Sequence, residues 1–261
     1  MSAASDSAAV FRFNENGAAP LLLICEHASN FIPADFDRLQ LDDTALNSHA
    51  AIDIGALELA QEISSLLDAP LLATTVSRLV YDCNRALTAA DAIPEKSEVF
   101  DIPGNHGLSN EDRRARFQAY YLPFETALKQ RLAAYSQPPI LLTIHSFTPV
   151  FHGKPRSVEL GIISDGDSRF MDKMVQLGKQ TTDLNTEANQ PYGPGDGATH
   201  TLNLHGDQNG LLNAMIEVKN DLLDTREARQ SMALTLARLI AATAASFDYE
   251  LPLGSNHAGS D

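Results

Sequence analysis

Residues 21–27, Leu-Leu-Leu-Ile-Cys-Glu-His, decide how this chain folds. Five apolar residues in a row, without alternation, read as a strand buried on both faces, which is what a parallel sheet covered by helices requires. The same signature recurs at 70–76, 140–144, 158–164 and 214–218. Between these runs lie segments of helical period: 55–67 with Leu59, Ile63 and Leu66; 111–135; 169–182; and 225–244 with Met232, Leu236, Leu239 and Ile240. Strands separated by helices predict an α/β fold, a mostly parallel mixed sheet with helices on both faces. Ligands of such sheets gather beyond the carboxyl ends of the strands.

The chain has 261 residues, enough for one sizeable core, and a single domain over 19–250 is expected. Residues 1–18 and 251–261 are small, polar and aperiodic and are expected to be an irregular N-terminal segment and a flexible tail. Nineteen basic residues against 34 acidic ones give a net charge of -15, a repulsive field for nucleic acid and anionic lipid. No apolar run is long enough for a membrane span and no targeting segment is read at the start, so a cytoplasmic protein is expected. Cys25 and Cys83 are expected to be reduced, buried thiols. The oligomeric state is not legible.

Polar residues cluster where the strands end. The run 21–25 leads into Glu26 and His27, 70–76 into Ser77 and Arg78, and 140–144 into His145 and Ser146; Glu217 sits inside 214–218. A strand-end imidazole facing a cleft suits zinc, although such a residue also serves as an ordinary hydrogen-bonding group. His27 and His145 are the candidate ligands. The third is Asp53 or His49, with Asp53 preferred; its competing role is to cap the helix that follows. A carboxylate in an apolar strand costs roughly 2–5 kcal/mol unless something compensates it, so Glu217 is either ion-paired or a general base. In so acidic a chain, Arg78, Asn84 and Arg85 suit an anionic ligand, the alternative being an ion pair with Asp82. The Gly/Pro-rich stretches 88–110 and 187–210 are long enough to be functional, which brings in Tyr192, His200 and His205; Arg113, Arg114 and Arg116 read as a solvent-facing helical stripe.

Taken together, CEHASN (25–30), HAAIDIG (49–55), SRLVYDCNR (77–85), HSFTP (145–149), NQPY (189–192) and Ile216-Glu217 resemble, in that order, the N-formylglutamate amidohydrolase family. That family is similar to the zinc carboxypeptidases and to the aspartoacylase/succinylglutamate desuccinylase group, which implies a zinc-carboxypeptidase-like (phosphorylase/hydrolase-like) fold and one Zn2+ per chain. The resemblance implies that His27 and His145 are ligands and that Asn84 and Arg85 grip a substrate α-carboxylate. It further implies a catalytic pair, an additional arginine at Arg78 near the acyl or carboxylate group that helps polarise the carbonyl and a general base at Glu217, with Ser146, Tyr192 and His205 as further substrate-facing candidates. Those relatives carry the carboxylate ligand three residues after the first His; here that position is Asn30, a poor zinc ligand, so the third ligand stays open between Asp53 and His49. The activity implied is zinc-dependent hydrolysis of the N-acyl amide of a small anionic amino acid. Two alternatives are a carboxypeptidase-like amidase on another N-acyl amino acid or short peptide and a non-catalytic, metal-dependent binding protein on the same scaffold.

Overall fold

The computed structural model describes residues 9–254. Seven strands form one sheet: β1 (Val10–Phe13), β2 (Leu21–Cys25), β3 (Leu71–Thr74), β4 (Ile140–Phe147), β5 (Leu160–Ile163), β6 (Thr186–Ala188) and β7 (Asn213–Lys219). Their spatial order is β1-β3-β2-β4-β7-β5-β6. The central four, β3, β2, β4 and β7, run parallel; β1 is antiparallel to β3, and β5 is antiparallel to β7, so the sheet is mixed. Five helices complete the frame: α1 (Ala56–Leu67), α2 (Asn110–Arg116), α3 (Leu122–Ala133), α4 (Arg169–Thr181) and α5 (Arg226–Ala245).

Alternation along the strands builds two different cores. Leu21, Leu23, Leu142, Ile144, Ala214 and Ile216 point to one face and meet α1, α4 and α5. Leu22, Ile24 and Leu141 point to the other and meet Tyr81, Tyr121 and, on α3, Phe124 and Leu128. By the same alternation His145 and Glu217 belong to this second face. They lie side by side, because β4 and β7 are in register at these two positions.

Three expectations need correction. The segment 1–18 is not irregular throughout: Val10–Phe13 forms β1, whose Val10 and two phenylalanines suit a strand that covers the otherwise open edge of β3, and four residues are too few to show alternation. Residues 1–8 and 255–261 lie outside the described residues, whereas Leu251 packs on the core and the Gly254 amide donates to Leu66 O at 2.8 Å. The helix expected over 111–135 is interrupted by a wide π-helical turn, Phe117–Tyr121, just before Pro123, which has no N–H to continue the α-helical ladder. Both cysteines are free and buried. Among the described residues no helix is long and apolar enough to cross a membrane.

Candidate active site

The site grows from the ends of β2 and β4. His27 leaves β2, and its carbonyl accepts a hydrogen bond from the Asp53 amide at 3.0 Å, which sews the segment before α1 to the strand end. Gly55 then starts α1 with φ of +78°, and a Cβ there would stand 2.8 Å from Leu223 Cβ, so only glycine turns the chain at this point. Asp53 is therefore not the helix cap; its side chain is turned toward the two imidazoles. Asp53 Oδ2 lies 2.8 Å from His145 Nδ1 and 3.3 Å from His27 Nδ1, and the rings are 4.9 Å apart.

Each imidazole is backed by a second buried carboxylate. His27 Nε2 is 2.9 Å from Asp82 Oδ1, and His145 Nε2 is 3.1 Å from Glu26 Oε2. Such partners fix the ring orientation of metal-bound histidines and raise their basicity. Burial opposes ionisation of all three carboxyls, but the histidines outweigh it and hold Asp53, Asp82 and Glu26 below the usual carboxylate range. The carboxylates in turn hold His145 well above the ordinary histidine value against its burial, and a second cation, Arg78, donates through Nη1 to Asp53 Oδ1 at 3.1 Å and places Nη2 3.6 Å from Asp82 Oδ2. A divalent cation bound among these groups would take over the role of the imidazole proton, because histidines ligate metal in the neutral form. The ligand chemistry fits as well: His27, Asp53 and His145 each offer one atom, all within 4.8 Å of one another, and two imidazoles with one carboxylate make a common catalytic metal set.

Glu217, in register with His145, is 4% exposed, and its Oε2 has no hydrogen-bond partner among the described residues. Burial pushes its pKa up to about 7. On the other side its neighbour in register is Gly161, where a Cβ would fall 1.8 Å from Gln190 O, so glycine lets the 190 loop close against this row. A cavity of about 630 Å³ opens over the cluster; its wall includes Glu217, Arg78, Arg85, Arg156 and Tyr192.

The structure brings His27, Asp53, His145, Glu217, Arg78, Asn84, Arg85, Ser146 and Tyr192 to this one cavity. Several are already engaged. Asn84 lines the wall, but its Nδ2 donates to Ala198 O and its Oδ1 accepts from the Thr201 amide at 2.9 Å, so it pins the second long loop instead of offering a free amide. Arg85 Nε donates to Asp91 at 2.7 Å, and Ser146 Oγ donates to Ile54 O at 2.8 Å. His49 is buried 3.5 Å from Asp53 Oδ1, and burial lowers its pKa to about 4.

His205 corrects an expectation. It does not line this cavity but a separate hollow shared with Lys129, Leu132 and Leu204, because the helical turn Leu202–Gly206 faces its ring toward α3. His200 Nε2 sits 2.7 Å from the Tyr121 hydroxyl. Arg116, expected on a solvent-facing stripe, is buried and donates to Asn105 Oδ1 at 2.7 Å and to Val80 O at 3.3 Å, bracing the 77–85 segment. The roles of Glu26 and Asp82 were missed in the sequence, although Glu26, a carboxylate directly beside a buried strand end, was a usable signal. Arg156 was missed as well; no pattern in the sequence marks it out.

A buried His–Asp–His cluster that could hold a metal ion, beside a buried carboxyl at the carboxyl ends of parallel strands, is an arrangement suited to hydrolytic chemistry on an α/β fold. The comparisons sharpen that class: the sequence profile of the N-formylglutamate amidohydrolase family matches residues 19–223, and the chain belongs to that family. No curated protein is matched. Among solved structures, the chain is similar to the gene product Atu2144 from Agrobacterium tumefaciens, at 43% identity and a TM-score of 0.90, over 94% of this chain and 98% of that one. It shares its fold with N-formylglutamate amidohydrolase from Ralstonia eutropha JMP134, at 18% identity and a TM-score of 0.60, over 92% and 98% of the two chains.

Proposed function

We propose that residues 19–250 form a zinc-dependent amidohydrolase that removes the N-acyl group, formyl or similar, from a small acidic amino acid. The observation that carries this reading is the convergence of His27 Nδ1 and His145 Nδ1 on Asp53 Oδ2 at 3.3 and 2.8 Å, with Glu217 in the adjacent register position. His27, Asp53 and His145 would hold one Zn2+, which when bound supplies Lewis acidity toward an amide carbonyl and makes nearby water more acidic.

The remaining chemistry belongs to the chain. Ionised Glu217 takes a proton from the attacking water as its oxygen bonds to the acyl carbon. The same carboxyl then gives that proton to the leaving nitrogen as the C–N bond breaks, so a carboxylic acid and a free amine result. A pKa near 7 suits both halves of this exchange. Arg78 is ion-paired with Asp53 and lies beside Asp82, and Asp82 and Glu26 hold the two imidazoles in orientation.

Purified protein should contain about one zinc per chain and should hydrolyse N-formyl, N-acetyl or N-succinyl derivatives of Glu or Asp faster than those of neutral amino acids. Full activity in metal-free protein, or no turnover across the panel by zinc-loaded protein, would sink the proposal.

A further inference from the structure

The cavity wall holds three arginines, and they differ in how much of each is free. Arg78 is spent on Asp53 and Asp82, within the cluster itself. Arg85 donates through Nε to Asp91 and through Nη1 to Asn84 O. Arg156 has no carboxylate partner among the described residues. Its Nη1 meets Thr148 O at 3.2 Å, Thr148 Oγ1 at 3.4 Å and the Tyr192 hydroxyl at 3.5 Å, and these contacts leave its charge unneutralised.

Yet Arg156 is firmly placed. Its guanidinium stands over three rings, 4.5 Å from Phe151, 5.1 Å from Tyr192 and 5.4 Å from Phe147. Its backbone amide donates to Pro149 O at 2.8 Å, closing the base of a hairpin in which Val150–Phe151 pairs with Lys154–Pro155. A cation fixed on aromatic faces, short of an anion and facing a cavity, is a preorganised carboxylate receptor. It is carried by the segment between β4 and β5 and touches Tyr192 of the second long loop, whereas Arg78 and Arg85 come from the loop after β3.

We propose that Arg156 is the specificity-determining residue that receives the side-chain carboxylate of the acidic substrate. The assignment rests on the amidohydrolase reading given above. The substrate α-carboxylate is attached to the carbon next to the scissile nitrogen and so stays beside the cluster. A side-chain carboxylate stands off by one or two methylenes and needs a second cation further along the wall, which Arg156 supplies.

The test compares N-formyl-L-glutamate with N-formyl-L-glutamine, which lacks only that charge, in wild-type protein and in Arg156→Met and Arg156→Lys. Methionine keeps the apolar packing on the rings without the charge, and lysine keeps the charge without the fork. The ratio of kcat/KM for acid over amide should fall about 10- to 100-fold in Arg156→Met, the worth of a charge-assisted hydrogen bond, and less in Arg156→Lys. Calorimetric titration with glutarate, which needs no turnover, should show Kd weakened by a similar factor in Arg156→Met. If zinc-loaded protein turns over no N-acyl amino acid but glutarate binding still depends on Arg156, the carboxylate receptor stands and the hydrolytic reading falls. If Arg156→Met keeps both the wild-type ratio and the wild-type glutarate Kd, Arg156 is not that receptor, whatever the enzyme hydrolyses.

Discussion

The two faces of the central strands come from the same residues taken alternately, yet they are put to different uses. On the face under α1, α4 and α5, Leu21, Leu23, Leu142, Ile144 and Ile216 meet a continuous apolar layer, in which the Cys25 thiol is kept protonated by burial. On the other face the apolar contact with α3 stops part-way along the strands, and the row beyond it holds His145 and Glu217. One face therefore carries stability, while the other carries groups that are costly to bury and useful in chemistry. Substitutions that shift one property without the other are the way to test that division.

Glu217→Gln should give the largest effect, a kcat lower by about 10²- to 10⁴-fold, the usual worth of a general acid–base group. Thermal unfolding should show stability kept or raised, since the change removes a buried carboxylate that has an unpaired oxygen. A protein that loses activity only by unfolding would break the comparison. On the opposite face, Leu236→Ala in α5 should cost about 2–5 kcal/mol in denaturant unfolding through the cavity it leaves, with kcat per folded molecule near wild type. Between these extremes, Asp82→Asn or Glu26→Gln should weaken zinc binding by about 10- to 100-fold in competition with a chelator, because each removes the carboxylate behind one imidazole.

The smallest effect concerns pH. Burial lowers the His205 pKa from the ordinary histidine value of 6.5 to about 4. Between these values the unfolded chain binds the proton and the folded chain does not, so stability falls as pH drops from about 6.5 to 4. His205→Gln should flatten that part of the curve of unfolding free energy against pH. It should leave the acid-over-amide preference of the enzyme alone, because His205 lies outside the catalytic cavity. An unchanged slope would show that His205 is already protonated in the folded protein.

How much of this was legible in the sequence follows from where each residue gets its information. The interior strands were legible because a strand buried on both faces is largely apolar, as β2 is throughout and β4 is at its start. His27, His145 and Glu217 stood out for the converse reason, as polar residues set against such runs. Edge strand β1 is held by its neighbour more than by its own pattern, so four residues did not betray it. That Asp53 is turned away from helix capping needed the turn at Gly55, and the freedom of Arg156 needed the positions of Asp82 and Asp91, which occupy the other two arginines. Those are facts about which groups are taken, and a linear sequence does not record occupancy.

The Asn84 clasp has a consequence for the whole rim. From the Thr201 amide to Asn84 Oδ1, from the Asn84 amide to Asp82 Oδ1, and from that same oxygen to His27 Nε2, three contacts of 2.9 Å run in series. Position 201 is thereby tied to an imidazole 174 positions earlier in the chain, so that the second long loop and the orientation of the His27 ring are held as one unit.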